Sequence, residues 1–242
     1  MTMHSYIHHT LRRLAGLGLG CWLALSGMPV HAAQDARTIE PFVAVVVEGD
    51  LQVKVEKADR TEVQLAGSAR AIESVQTLVQ HRNGVPTLVI RRKSTWFSGS
   101  PQVQVLVKSP TLQSLALAGS GDLDARLQEQ PRLDLRLSGS GDLRVTGLRT
   151  TELDLQLSGS GDIHVQGTAE KLQVRLAGSG DVWLYELPAQ EVNVQLAGSG
   201  DARVHAVQRL SAQVSGSGHV RYRGAVKDIA ASVAGSGRVV RD

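Results

Sequence analysis

This sequence predicts an all-β fold, a parallel β-helix of roughly twenty residues per coil with one short helix near its start. Three observations carry that reading. A Gly-Ser-Gly core recurs at Gly119, Gly139, Gly159, Gly178, Gly198, Gly216 and Gly235, at offsets of 20, 20, 19, 20, 18 and 19 residues. Before each core, apolar and polar residues alternate with period two, as in Leu133, Leu135 and Leu137 around Asp134 and Arg136, which is the pattern of a half-buried strand. After most cores an aspartate precedes a second alternating run, such as Leu143 and Val145 against Arg144 and Thr146. Each repeat is one coil with at least two short strands meeting at a glycine corner. Stacking makes Leu135, Leu155, Val174 and Val194 one interior column, and Leu137, Leu157, Leu176, Leu196 and Val214 another. The usual crossover rule makes the winding right-handed.

In chain order, residues 1–32 read as a secretory signal peptide. Arg12 and Arg13 precede the apolar run LAGLGLGCWLALSG, and Val30-His31-Ala32 supplies small residues for cleavage. The run is too short for a membrane span. Acylation of Cys21 as a lipoprotein is the alternative, disfavoured by Gly18 and by the apolar stretch continuing past the cysteine.

Residues 33–110 read as less regular leading coils, continuous with the regular repeats of 111–242. PFVAVVVEGDLQVKVEK gives two strands around Gly49-Asp50, a hairpin or first coil, and TEVQLAGSA a degenerate repeat with Val63 and Leu65 inward. ARAIESVQTLVQ places Ile72, Val75, Leu78 and Val79 at helical spacing, closed by Asn83-Gly84. That helix is expected to cover the open first coil. TLVIRRK and QVQVLVK are strands flanking the loop KSTWFSGSP.

The run FVAVVVEGDLQVKVEKAD, the helical insert, GVPTLVIRRK and VQVLVKSPTLQSLALAGSGDL together resemble the bacterial auto-transporter adhesin head GIN domain family over nearly the whole chain after residue 32. The resemblance implies an envelope or surface protein on a β-helix and brings no catalytic or ligand residues. No alternating membrane strands follow the repeats, so self-export through a β-barrel is not expected. The expected location is the periplasm or cell surface of a Gram-negative-type bacterium.

Composition narrows the function classes. Without Arg12 and Arg13, and with no acid among the first 32 residues, 24 basic groups face 23 acidic ones, which gives no footprint for nucleic acid. Cys21 is the only cysteine, so the exported chain has no disulfide and no thiolate metal site. His81, His164 and His205 are scattered, without nucleophile or metal-ligand spacing, and no catalytic residue is assigned.

Two columns are candidates for chemistry. Asp122, Asp142, Asp162, Asp181 and Asp201 fall in one row, where like charges roughly 4.8 Å apart repel by about 0.9 kcal/mol in water. The row is expected to be held by each aspartate capping N–H groups at its own corner. Calcium bridging between coils is the alternative, although calcium β-rolls use a shorter repeat. His219 and Arg238 occupy the next two corner positions and end the like-charge row. The second column, outward after each corner, contains Arg144, His164, Trp183, Tyr185, Arg203 and Arg221, a basic face with an aromatic pair that suits an envelope glycan, a lipid head group or a surface protein. The other outward face, with Asp134, Gln156, Gln173, Asn193, Gln195 and Gln213, reads as bland.

The expected function is therefore a non-catalytic, adhesin-like or ligand-binding envelope domain. A carbohydrate-active β-helix enzyme and a structural, stress-related periplasmic scaffold are the alternatives. The last coil, DIAASVAGSGRVVRD, has Ile229, Ala231 and Val233 inward and nothing after it to cover them, so a homodimer through this end is expected.

Overall fold

The computed structural model describes residues 33–93 and 102–242; residues 1–32, read from the sequence as a signal peptide and containing Cys21, and Trp96 and Phe97 of the KSTWFSGSP loop lie outside the described residues. In chain order the elements are β1 (Ala33–Arg37), β2 (Ala44–Gly49), β3 (Gln52–Lys57), β4 (Glu62–Gly67), α1 (Ala69–Ser74), β5 (Val75–Arg82), β6 (Val85–Arg92), β7 (Val103–Ser109), β8 (Ser114–Gly119) and β9 (Asp122–Arg126). The regular part follows with β10 (Glu129–Gly139), β11 (Asp142–Gly159), β12 (Ile163–Gly178), β13 (Val182–Gly198), β14 (Ala202–Gly216), β15 (His219–Arg223), β16 (Asp228–Gly235) and β17 (Arg238–Arg241).

These strands form one 17-stranded sheet that bends at the glycine corners and wraps a single core, so the fold is the parallel β-solenoid that the repeats predict. In the coil starting at Leu133, the residues Leu133, Leu135 and Leu137 bury their side chains, then Leu143 and Val145 after the Gly-Ser-Gly corner. Gly147, at φ 74°, turns the chain a second time before the buried Leu148 and Thr150, so a coil has a third side that alternation alone did not reveal. The buried Thr150 hydroxyl there donates to the Glu152 carbonyl at 2.9 Å, which meets the requirement that a buried polar group be paired. Pairing of β10 with β11, β11 with β12 and β12 with β13 puts Leu135, Leu155, Val174 and Val194 in register, all buried, as the sequence pattern requires.

The leading part departs from chain order. The coil made by β2 and β3 is not an end of the stack: β2 lies between β6 and β8, and β3 between β7 and β9, all parallel. Gly49-Asp50 is therefore a corner between coils' sides and not a hairpin. The later β6–β7 coil is inserted beneath it. That end is closed by antiparallel strands, β4 on β7, β1 on β4 and β5 on β6. Val63 and Leu65 of β4 are buried, but their strand runs against the coils and not with them.

The predicted helix is corrected here. Only Ala69–Ser74 is helical, started by the Ser68 side chain accepting from the Ala71 N–H at 3.2 Å, with Ala71 and Ile72 buried against the core. Val75, Leu78 and Val79 belong to β5, which returns along β6 through Asn83 (φ 52°) and Gly84 (φ 80°). That two-residue connection with both φ positive is the preferred hairpin turn for Asn-Gly. The run VQTLVQ fits both helical and alternating templates, and the free edge of β6 decides between them.

At the other end, every residue of β16 is exposed, including Ile229 at 45% and Val233 at 42%, because no strand packs on the outer side of this turn among the described residues. No helix is long and apolar enough to cross a membrane among the described residues.

Candidate functional site

The Gly-Ser-Gly-Asp corners stack directly. The Gly139 carbonyl accepts from both the Ser160 and Gly161 N–H groups, at 2.9 and 3.2 Å, and the Gly159 carbonyl accepts from Ser179 and Gly180 in the same way. The aspartates continue the ladder through their side chains. Asp162 donates its N–H to Oδ1 of Asp142 at 3.3 Å, Asp181 to Asp162 at 2.9 Å, Asp201 to Asp181 at 2.8 Å and His219 to Asp201 at 2.9 Å. Each carboxylate thus satisfies the N–H of the next coil, not of its own corner as expected from the sequence. Asp122 takes no part in this relay: the Asp142 N–H goes to the Gly121 carbonyl at 3.2 Å. Among the described residues no three His, Cys, Asp or Glu side chains converge in a metal-sized cluster.

Like-charge repulsion between Asp181 and Asp201 is offset by the Arg203 guanidinium beside them. Arg203 reaches Oδ2 of Asp181 at 3.0 Å and of Asp201 at 3.4 Å, and His219 Nδ1 lies 3.4 Å from Asp201. Replacing Asp181 with alanine removes both an N–H acceptor and an Arg203 partner, and is expected to cost about 1–3 kcal/mol in denaturant unfolding. Asp181→Asn keeps the acceptor and should recover most of the loss. Equal loss in the two variants would assign the effect to charge alone.

The outward column forms as the alternation predicts. Arg144, His164, Trp183, Arg203 and Arg221 are register partners in successive coils. Below Arg144 the column passes to Asp124 and Lys54. The His164 and Trp183 rings are stacked, with centroids 5.6 Å apart and 2° between planes. Arg203 lies over the other face of the stack, its guanidinium carbon 3.8 Å from the Trp183 ring centroid. Trp183 is 37% exposed, yet its ring is held between neighbours in the column, so a sugar stacking flat on it would have to part them.

Tyr185 stands beside this column and outside strict register, because the pairing of β13 with β14 slips between Leu184 and Pro188. Its ring carries Arg223 at 4.1 Å, and its hydroxyl donates to the Asp242 carboxylate. Burial first, then that hydrogen bond, pushes the phenol up to about 12, so it remains a donor throughout the physiological range. Arg221 is drawn toward Asp201 at 3.8 Å and Asp242 at 3.9 Å, and Arg144 makes no ion pair among the described residues.

The face that reads as bland from the sequence holds a trough of about 720 Å³. Two outward positions per coil line it. The first is occupied in turn by Arg136, Gln156, Arg175, Gln195 and Gln213, and the second by Ser138, Ser158, Ala177, Ala197 and Ser215. The small side chains beside the corner lower the surface, and the long ones form a wall. The signal for this was present in the Ser or Ala that precedes every Gly-Ser-Gly, but small residues next to a corner look like turn chemistry.

A parallel β-solenoid whose corners are joined from coil to coil by carbonyl and carboxylate acceptors defines the class of repeat scaffolds. Within that class the chain belongs to the family described as "Putative auto-transporter adhesin, head GIN domain", whose pattern matches residues 41–226. Similar solved structures include a "putative adhesin" from Bacteroides fragilis, with TM-score 0.81 and 23% identity over 87% of this chain and 97% of that one. A "putative lipid binding protein" from Parabacteroides distasonis aligns with TM-score 0.66 and 23% identity, over 88% of this chain and 98% of that one. A "putative adhesin" from Parabacteroides merdae aligns with TM-score 0.68 and 22% identity, over 87% and 96%. No curated protein matches the sequence. The family carries an adhesin name, and the similar structures carry adhesin or lipid-binding names.

Proposed function

We propose that this protein is an exported, non-catalytic component of the bacterial envelope, in the periplasm or at the cell surface, that binds a ligand along the side of its solenoid. The carrying observation is that the one regular acidic row is consumed in structure, each Oδ1 from Asp142 to Asp201 accepting the N–H of the next coil. Glycoside cleavage needs a pair of carboxylates facing a sugar in a cleft, and these carboxylates are engaged as acceptors in the ladder between coils. Purified chain incubated with envelope polysaccharides should retain them without shortening them. Release of new reducing ends would replace this reading with the carbohydrate-active one. The lipid-binding name of one similar structure makes anionic head groups a second ligand to include in the same screen. The stack of His164, Trp183 and Arg203 favours a structural scaffold as the other reading, under which no ligand is retained.

The exposed last turn supports association of two copies through β16, where Ile229 and Val233, in register with the buried Leu210 and Val214 of the interior columns, are left uncovered at the open end. Light scattering at tens of micromolar should show a dimer that Val233→Glu dissociates. A monomer unchanged by that substitution removes the association.

A further inference from the structure

We infer that the trough on the β10–β14 face is the binding site for a linear acidic polysaccharide. This deepens the ligand-binding reading above and rests on it. The trough runs from Arg136 to Ala234 across β10, β11, β12, β13, β14 and β16, crossing strands and not following them. With strands roughly 4.8 Å apart, its length is about 24 Å. A volume of about 720 Å³ drawn out over that length suits a single extended chain, not a compact small molecule.

The lining selects the chemistry of the chain. The side-chain amides of Gln156, Gln195 and Gln213 form no hydrogen bonds with the protein among the described residues, and each amide offers both donors and an acceptor. Hydroxyl-bearing chains match such a row at every coil. Arg136 also makes no ion pair among the described residues, while Arg175 shares Asp154 at 3.5 Å and Gln173 at 2.9 Å. No carboxylate lines the trough, so a polymer bearing carboxylates meets guanidinium groups without repulsion.

Other extended ligands fit less well. A peptide strand adds to a sheet through an exposed edge, and a trough that crosses strands offers no free backbone row. An acyl chain would bury the amide row and the Ser138, Ser158 and Ser215 hydroxyls without partners.

Polygalacturonate serves as the probe, dextran as the neutral control, and vesicles of equimolar phosphatidylglycerol and phosphatidylcholine as the lipid control. The full exported chain should bind polygalacturonate with an affinity that falls with salt, and bind dextran far less. Arg136→Glu and Ala197→Trp, one reversing the free charge and one filling the floor, should each weaken binding at least roughly tenfold. Both positions are exposed, and melting curves will show whether each variant stays folded. Arg126→Glu, at an exposed position in neither the trough nor the candidate column, should leave binding unchanged, and Arg144→Glu reports on the other column. If polygalacturonate binding survives both trough variants, or is lost in Arg144→Glu, the trough assignment falls and the ligand-binding reading stands. Binding to vesicles alone has the same consequence. Binding to neither polysaccharide nor vesicles overturns both.

Discussion

Leu155→Asp is expected to abolish cooperative folding of the whole solenoid. Leu155 is fully buried, paired in register with Leu135 on one side and Val174 on the other, in a column that runs the length of the regular stack. No polar partner is within that column to receive a carboxylate. Burying it there costs several kcal/mol, or forces protonation or local unfolding, against a total stability of about 5–15 kcal/mol. In a one-dimensional stack each coil contacts only its neighbours, so a defect in the middle separates two halves that must each stand alone. Far-UV circular dichroism with temperature should show no sharp transition. A soluble variant melting as sharply as the natural protein would contradict the interior register. Ile229→Asp is the matched control, since that residue sits on the open last turn at 45% exposure and should change little.

The register and the interior columns were legible in the sequence because period two and period twenty act together. A one-residue slip in any coil would turn its leucines outward, and that cost fixes the alignment of Leu133 to Leu157 before any contact is seen. What could not be read depends on tertiary choices. The run from Val75 to Val79 satisfies helix and strand templates alike, and only pairing with β6 settles it, although Asn83-Gly84 was already a hairpin signal. Insertion of the β6–β7 coil beneath β2–β3 has no local signature at all, since each strand alternates in the same way wherever it is stacked. In the candidate site, the column of Arg144, His164, Trp183, Arg203 and Arg221 followed from spacing, whereas closure of the Trp183 ring by its neighbours needed side-chain rotamers. The trough was hidden for the opposite reason. Concavity is a relation between long and short neighbours, so Gln195 beside Ala197 is informative only once the coils are stacked.

The glycine corners separate two causes of intolerance, and three substitutions tell them apart. Gly159 has φ +135°, and a Cβ there would sit 2.1 Å from the Gly139 carbonyl oxygen, so both backbone strain and collision oppose a side chain. That oxygen already accepts two N–H groups from the next corner and cannot move without releasing them. Gly161 lies outside the left-handed region, yet its Cβ would sit 1.9 Å from the Gly141 oxygen, so collision acts alone. Gly84, in the β5–β6 turn at φ +80°, has nothing within 4 Å, so strain acts alone. Gly84→Ala is expected to cost about 1–2 kcal/mol, the left-handed penalty for an L-residue. Gly161→Ala should cost about 3 kcal/mol, the upper part of the overpacking range, because the obstacle is backbone and not a flexible side chain. Gly159→Val combines both terms and adds a branched side chain, for a loss of about 4 kcal/mol or more. Denaturant midpoints of the three variants at constant slope measure the series directly. The order Gly159→Val, Gly161→Ala, Gly84→Ala from most to least damaging is the signature of coils in backbone contact at the corner. Should Gly161→Ala instead unfold with Gly84→Ala or later, the coils are farther apart there than the carbonyl-to-N–H ladder requires.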